Sequence, residues 1–190
     1  MTVEPILIEF SDRIETERLI LRAPCPGDGV ARRQAVQDSH AHLKAWMPWA
    51  VDIPDAAGYE KLVRENHLAF NGRTNLMMLI ISKENGKLIG ATGYHNLNWT
   101  VPSFEIGYWI HTNYAGRGYV TEAVNALTDF AFTQFGAERV EILCDANNKA
   151  SAAVAERAGY SLDGVLHKHR RHHLTNDLSS TMIFSKVKTD

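Results

Sequence analysis

A strand, a glycine-bearing turn and a helix start follow one another in the middle of this chain. That succession constrains the fold more than any other segment. Phe104-Glu105-Ile106-Gly107-Tyr108-Trp109-Ile110 is an apolar run of strand type. It leads through Asn113-Tyr114-Ala115-Gly116-Arg117-Gly118-Tyr119 to apolar residues at Val120, Ala123, Val124, Leu127, Phe130 and Ala131, which recur with helical spacing. Gly116 and Gly118 lack a Cβ, so their backbone can come close to a ligand. A helix start leaves N–H groups unpaired and carries partial positive charge. The segment is either a tight strand-to-helix connection or a pyrophosphate cradle. It is not a Walker loop, since no Gly-x-x-x-x-Gly-Lys-Ser/Thr run occurs, and Thr121 stands where a Rossmann turn has its third glycine.

The flanking pattern predicts one domain over residues 1–190, with no repeat or linker to divide it. Strands are expected at 18–22, 76–82, 88–94, 104–110, 139–144, 160–167 and 178–185. Asn85-Gly86 marks a hairpin between the second and third of these. Helices are expected from Asp28 to Gln37, His40 to Trp46, Asp55 to Phe70, Arg117 to Phe135 and Asn148 to Ala158, with Gly136 and Gly159 as stops. Hairpin-linked strands followed by strands alternating with helices imply a mixed α/β (α+β) sheet.

Apolar residues make up 45% and charged residues 22%, which is ordinary for a globular protein. The net charge of −2 gives no bulk attraction to nucleic acid or to a membrane surface. Cys25 and Cys144 form no paired framework, which suits a reducing cytoplasmic setting. No basic leader with a long apolar run opens the chain, so a secretory signal is not expected.

The turn resembles the acyl-CoA loop of the GNAT acetyltransferase superfamily, Gln/Arg-x-x-Gly-x-Gly/Ala. Asn113, Gly116 and Gly118 stand at its three positions, Asn113 departing from the first. Asn148-Lys149-Ala150-Ser151, running into a helix that ends at Gly159-Tyr160, is similar to the family's Asn-x-x-Ser/Ala helix. Ile14-Glu15-Thr16-Glu17-Arg18-Leu19-Ile20-Leu21-Arg22 and Leu43-Lys44-Ala45-Trp46-Met47-Pro48-Trp49 resemble the RimJ/RimL branch, known for acetylating ribosomal-protein N-termini.

The resemblance implies a GNAT-like, mostly antiparallel central sheet, splayed between its fourth and fifth strands. It implies acetyl transfer from acetyl-CoA to an amine, without metal and without a covalent enzyme intermediate. Positioning alone can supply up to about 7–11 kcal/mol of such a reaction's barrier. Gly116, Arg117, Gly118, Tyr119 and Val120 would hold the pyrophosphate, the Arg117 side chain otherwise being a solvated surface group. Trp109, Ile110 and His111 would pair with pantetheine through their backbone, an amide near Ile110 facing the oxyanion. Asn148 would contact pantetheine, or cap its helix, or both.

Many superfamily members carry a tyrosine where this chain has Ala155. Ser151, one turn earlier, matches the branch's serine and would hydrogen-bond the leaving sulfur. Glu105 is the first candidate for the base, on the expectation that burial raises its pKa, with His95 and His111 as alternatives acting through water. Trp46, Met47, Trp49, Tyr94 and His95 are the candidate acceptor wall, and at least one of the two tryptophans is expected to be core. Cys144 is expected to pack in a buried strand.

His167 to His173 form a basic, histidine-rich run, expected as an exposed hairpin. It could instead attract an acidic substrate or the cofactor's 3′-phosphate, or ligate zinc, although no cysteine or carboxylate group accompanies it. The acceptor is expected to be a protein or peptide α-amine. Small amines, amino acids and antibiotics stay open, as does a non-catalytic acyl-CoA-binding module. Branch members are often dimers, so a homodimer is the expected assembly.

Overall fold

The computed structural model describes residues 4–189. In chain order it has β1 (Arg13–Glu15), β2 (Leu19–Arg22), α1 (Gly29–Asp38), α2 (His40–Leu43), α3 (Ala56–Asn71), β3 (Leu76–Ser82), β4 (Leu88–Asn98) and β5 (Ser103–Ile110). It continues with α4 (Tyr119–Gln134), β6 (Arg139–Asp145), α5 (Lys149–Arg157), β7 (Ser161–Arg171) and β8 (Leu178–Val187). The strands form one sheet in the order β1-β2-β3-β4-β5-β6-β8-β7. Among the described residues only β5 and β6 pair in parallel.

Both faces of the sheet are covered, and alternation along each strand decides which side chain goes where. Met78 and Ile80 of β3, with Phe104 and Ile106 of β5, pack in a core with Val124 and Leu127 of α4. Their neighbours Leu79 and Trp109 point the other way, into a smaller core with Val36 of α1 and Tyr59 of α3. Fully burying a side chain such as Leu127 or Leu79 contributes about 1.5–3 kcal/mol.

β5 pairs with β4 up to Ile110, but with β6 only over Ser103–Glu105 against Arg139–Glu141. Beyond that the two strands share no ladder, and β6 spends its other edge on β8 as far as Asp145. The sheet therefore opens between β5 and β6. These are the fourth and fifth of the expected strands, the short β1 shifting the count by one.

β1 was not expected, and four boundaries differ clearly from the sequence reading: α2 ends at Leu43 rather than Trp46, and β4, β7 and α4 also depart. β4 continues past Tyr94 to Asn98, interrupted by a register shift between His95 and Asn98, where Asn96 has φ +50°. β7 continues through the basic run to Arg171, because β8 supplies a partner as far as Leu178. α4 begins at Tyr119 rather than Arg117, with Gly118 as its N-cap at φ +81°.

Candidate active site

The turn before α4 is built around two left-handed glycines, Gly116 at φ +74° and Gly118 at φ +81°. Glu122 N–H makes the first helical bond, to Gly118 O, so the amides of Tyr119, Val120 and Thr121 precede any intrahelical acceptor. All three residues line a cleft of about 670 Å³ running between α4 and α5. The loop is braced from β2. Arg18 pairs with Glu122 at 2.6 Å, donates to Arg117 O at 3.0 Å, and lies over the Tyr119 ring at 4.5 Å. Glu122 also accepts from Thr16 Oγ1 and from Arg18 N–H. The segment Thr16–Arg18 thus holds the cradle, a role its sequence alone did not disclose. Arg117 itself extends over Tyr114.

On β5 the backbone divides its duties. His111 N–H donates to Ile89 O at 2.7 Å. In the matching register Trp109 opposes Ala91, which sends its amide toward β4 as well. The expected backbone pairing of His111 and Trp109 with pantetheine is therefore corrected, because those groups are spent in the sheet. Alternation leaves the groups of Tyr108 and Ile110 facing the opening toward β6. The His111 ring is buried, with Nδ1 accepting from Asn113 N–H and Nε2 3.4 Å from Asp38. It is a structural bracket rather than a solvent-facing base.

Across the opening, Asn148 caps α5 by accepting from Ser151 N–H at 3.1 Å, while still lining the cleft. The Ser151 hydroxyl lies 2.9 Å from the Tyr108 hydroxyl, which is also 3.1 Å from Ser151 O. Burial pushes the Tyr108 phenol up to about 12, against the opposing hydrogen bond from Ser151. Tyr108 keeps its proton throughout the neutral range. It is the functional candidate that sequence reasoning passed over, since a tyrosine in an apolar strand reads as core. Ala155, at the position where many relatives have tyrosine, is fully buried. Cys144 is buried on β6, and burial raises its thiol, which disfavours the nucleophilic thiolate.

A second cleft, of about 510 Å³, opens on the α1/α3 side of the sheet. Tyr108, Trp109, Asn148, Ser151, Trp46 and Met47 line both clefts, so the two meet at the Tyr108–Ser151 pair. Glu105 is in the second cleft. The irregularity in β4 turns two neighbours onto its carboxylate: Asn96 Nδ2 donates at 2.7 Å, and His95 Nε2 lies at 3.0 Å. Gly107 leaves room for that imidazole, since a Cβ there would sit 2.6 Å from His95 Cε1.

Burial pushes Glu105 up, but the bonds from His95 and Asn96, with His95 and Arg170 charge, outweigh it, and the net direction is down. This reverses the expected upward shift. A carboxylate lowered by its partners favours folding above its unfolded pKa, and that contribution is lost as pH falls through the folded value. The Tm gap between wild type and Glu105→Gln should be full at neutral pH and shrink below about pH 4.5. Thermal melts from about pH 3 to about pH 8 check this; a constant gap contradicts it.

Trp49 is 45% exposed and tilts against Trp109 at 6.1 Å. Neither Trp46 nor Trp49 is core, contrary to expectation, because Leu43 and Ala50 fill that place. Tyr94 is corrected in the opposite sense. It is 2% exposed, packs on Phe104 and Phe135, and its hydroxyl donates to Leu127 O. Its side chain belongs to the α4 core and not to the acceptor wall.

The basic run is mostly strand. His172 and His173 bond to Ala45 O and Lys44 O, tying the β7–β8 turn to the segment that carries Trp46. Among the described residues no group of three or more His, Cys, Asp or Glu side chains is placed to hold a metal ion.

An α4 N-terminus with unpaired amides, a sheet open between β5 and β6, and two clefts meeting at a hydroxyl pair define an acyl-CoA-dependent transferase. Residues 18–161 match the acetyltransferase (GNAT) domain model, and the chain belongs to that family. It is a GNAT N-acetyltransferase, with acetyl-CoA as co-substrate. A putative ribosomal N-acetyltransferase, YdaF, of Bacillus subtilis (strain 168) is 28% identical over 152 residues, 78% of this chain and 80% of that protein. The ribosomal-protein-serine acetyltransferase of Escherichia coli (strain K12) is 28% identical over 126 residues, covering 65% and 70%. A RimL ribosomal alpha-N-protein acetyltransferase solved with coenzyme A superposes with a TM-score of 0.85 at 23% identity, over 92% and 97% of the two chains. The microcin C7 self-immunity acetyltransferase MccE, solved with acetyl-CoA and AMP, gives 0.84 at 24% identity, over 91% and 94%.

Proposed function

We propose that this enzyme acetylates the N-terminal α-amino group of a protein or peptide, in the cytoplasm and as a homodimer. The observation that carries the acceptor reading is the second cleft. It is open to solvent, walled by exposed Trp49 and by Trp46, and reaches the Tyr108–Ser151 junction. An aromatic wall of this kind accepts the flat backbone of a peptide end. The curated relatives named for ribosomal proteins point the same way.

Acetyl-CoA supplies the activated acetyl thioester; the residues supply position and proton handling. The amides of Tyr119, Val120 and Thr121 hold phosphate oxygens, with Gly116 and Gly118 permitting their approach. The backbone N–H of Tyr108 or Ile110, on the open edge of β5, faces the carbonyl oxygen. Ser151, with Tyr108 behind it, donates a hydrogen bond to the departing sulfur. The His95–Glu105 pair receives the amine's proton. Glu105 stays ionised and orients the imidazole, so His95 is the proton acceptor and Glu105 its partner. An α-amine with a pKa of about 7.7–8.0 gives up its proton readily to such a group.

The reading is tested by thiol release from acetyl-CoA against peptides, free amino acids, polyamines and aminoglycosides. Peptides with a free α-amine should be turned over, and their blocked counterparts should not. Turnover confined to small amines replaces the peptide reading, and tight acetyl-CoA binding with no release for any acceptor favours a binding module. Size-exclusion chromatography with light scattering reads the assembly.

A further inference from the structure

Arg32 of α1 is a charged side chain the mechanism does not use. It lines the same cleft as Glu105 and Ser151. Its Nε and Nη1 are buried and have no hydrogen-bond partner among the described residues. The structure gives it no carboxylate, only the Tyr59 ring 6.0 Å from the guanidinium carbon. Burial is what lowers this guanidinium, with the Tyr59 charge opposing weakly. Other arginines nearby are satisfied: Arg22 forks onto Asp28, and Arg33 donates to Pro54 O and Gln37.

An unpaired buried cation is costly, and proteins retain one where a ligand completes it. The groups around Arg32 suit an anion with several oxygens. Asn75 lines the cleft with its Oδ1 already accepting from Met77 N–H, which leaves its amide nitrogen as a donor. Asn66 lines it from α3. A guanidinium fork presents two parallel donors, the geometry of a carboxylate or a phosphate.

We propose that the acceptor carries an anionic oxygen group, carboxylate or phosphate, and that Arg32 binds it within the cleft while the amine reaches His95 and Glu105. This rests on the assignment of that cleft to the acceptor. The preferred substrate is therefore an amine with an acidic neighbour, such as a peptide with an aspartate, glutamate or phosphoserine close to its N-terminus, or a small phosphorylated amine.

The test uses matched pairs. One arm compares N-terminal peptide amides that differ only by glutamate or glutamine at the second and third positions. The other compares phosphoethanolamine with ethanolamine. In wild type the anionic member of at least one pair should have a kcat/KM higher by about tenfold to a hundredfold. In Arg32→Gln that preference should collapse to about twofold or less, with the rate on the neutral member retained. Arg32→Lys should restore part of it, since a point charge lacks the fork. Equal rates within every pair that is turned over, or an undiminished preference in Arg32→Gln, overturn the proposal. If no pair is turned over, the peptide-amine reading fails separately, and the anion site is read by binding. Inorganic phosphate should then raise the Tm of coenzyme A-saturated wild type, whose cradle is filled, and leave coenzyme A-saturated Arg32→Gln unmoved. No shift in wild type overturns the proposal.

Discussion

Gly118→Val raises the dissociation constant of coenzyme A by about 100-fold, the equivalent of misaligning one or two charge-assisted hydrogen bonds. Gly118 sits at φ +81°, a conformation that costs a β-branched residue about 1–3 kcal/mol. The turn relieves that strain by rotating, and rotation turns the amides of Tyr119, Val120 and Thr121 off their common target. The added side chain also meets Arg18, because even a Cβ at this position lies 3.4 Å from Arg18 Nη2. Arg18 is the brace that holds Glu122 and Arg117 O, so the loop loses its anchor to β2 at the same time. The helix itself survives, since α4 is fixed by Val124, Leu127 and Ala131 in the core. Calorimetric titration of coenzyme A, alongside far-UV circular dichroism, separates the two effects. An unchanged affinity in a folded variant removes the cradle assignment.

Ser151→Ala lowers kcat by about 10- to 100-fold with little change in the KM for acetyl-CoA, as expected for a hydrogen bond made to developing charge. Tyr108→Phe has a comparable effect in the wild-type background and almost none in the Ser151→Ala background. The reason is geometric. The Tyr108 phenol acts through the serine 2.9 Å away, and at about 12 it is a donor, never a phenolate, over the whole assay range. When Tyr108 turns its single proton from Ser151 O to Ser151 Oγ, the serine proton is free to point into the cleft where the two substrates meet. Two residues acting in series give non-additive losses, so a double-mutant cycle reports the coupling. Additive losses show instead that the two hydroxyls act independently, and wild-type turnover in Ser151→Ala removes the serine from the mechanism.

The pair also accounts for Ala155. Where many relatives place a phenol on the later helix, α5 has a small buried residue, and a phenol approaches from β5. Nothing in the local pattern of either segment announces this. Tyr108 and Ser151 are 43 residues apart, and only the parting of β5 from β6 lets one reach the other.

Much was legible from the chain alone, and for a local reason in each case. The strand order of events around Gly116 and Gly118 follows from hydrophobic period and from the need for left-handed backbone, both properties of adjacent residues. Leu76–Ser82, the Asn85-Gly86 turn, α4 with its Gly136 stop and α5 with its Asn148 cap were all readable on that basis. Glu105 and Ser151, candidates from the sequence, both line one cleft, yet the state of Glu105 was not legible there. Its direction depends on His95 and Asn96, and a bulge in β4 is what turns them toward it. Tyr94 and the two tryptophans were exchanged for a similar reason. An aromatic residue has the same composition signal whether it faces the core or the cleft, and the face is set by register.

Sequence by itself therefore determined most of the elements and the left-handed glycine turn, because these rest on spacing within a few residues, and the likeness of several separate blocks pointed to the family. Tertiary structure alone decided the partnership of Tyr108 with Ser151, the lowered Glu105, the brace from Arg18 and the unpaired Arg32. Each of those depends on which side chains meet across the sheet, on how much water is excluded there, and on which charges are left without a partner.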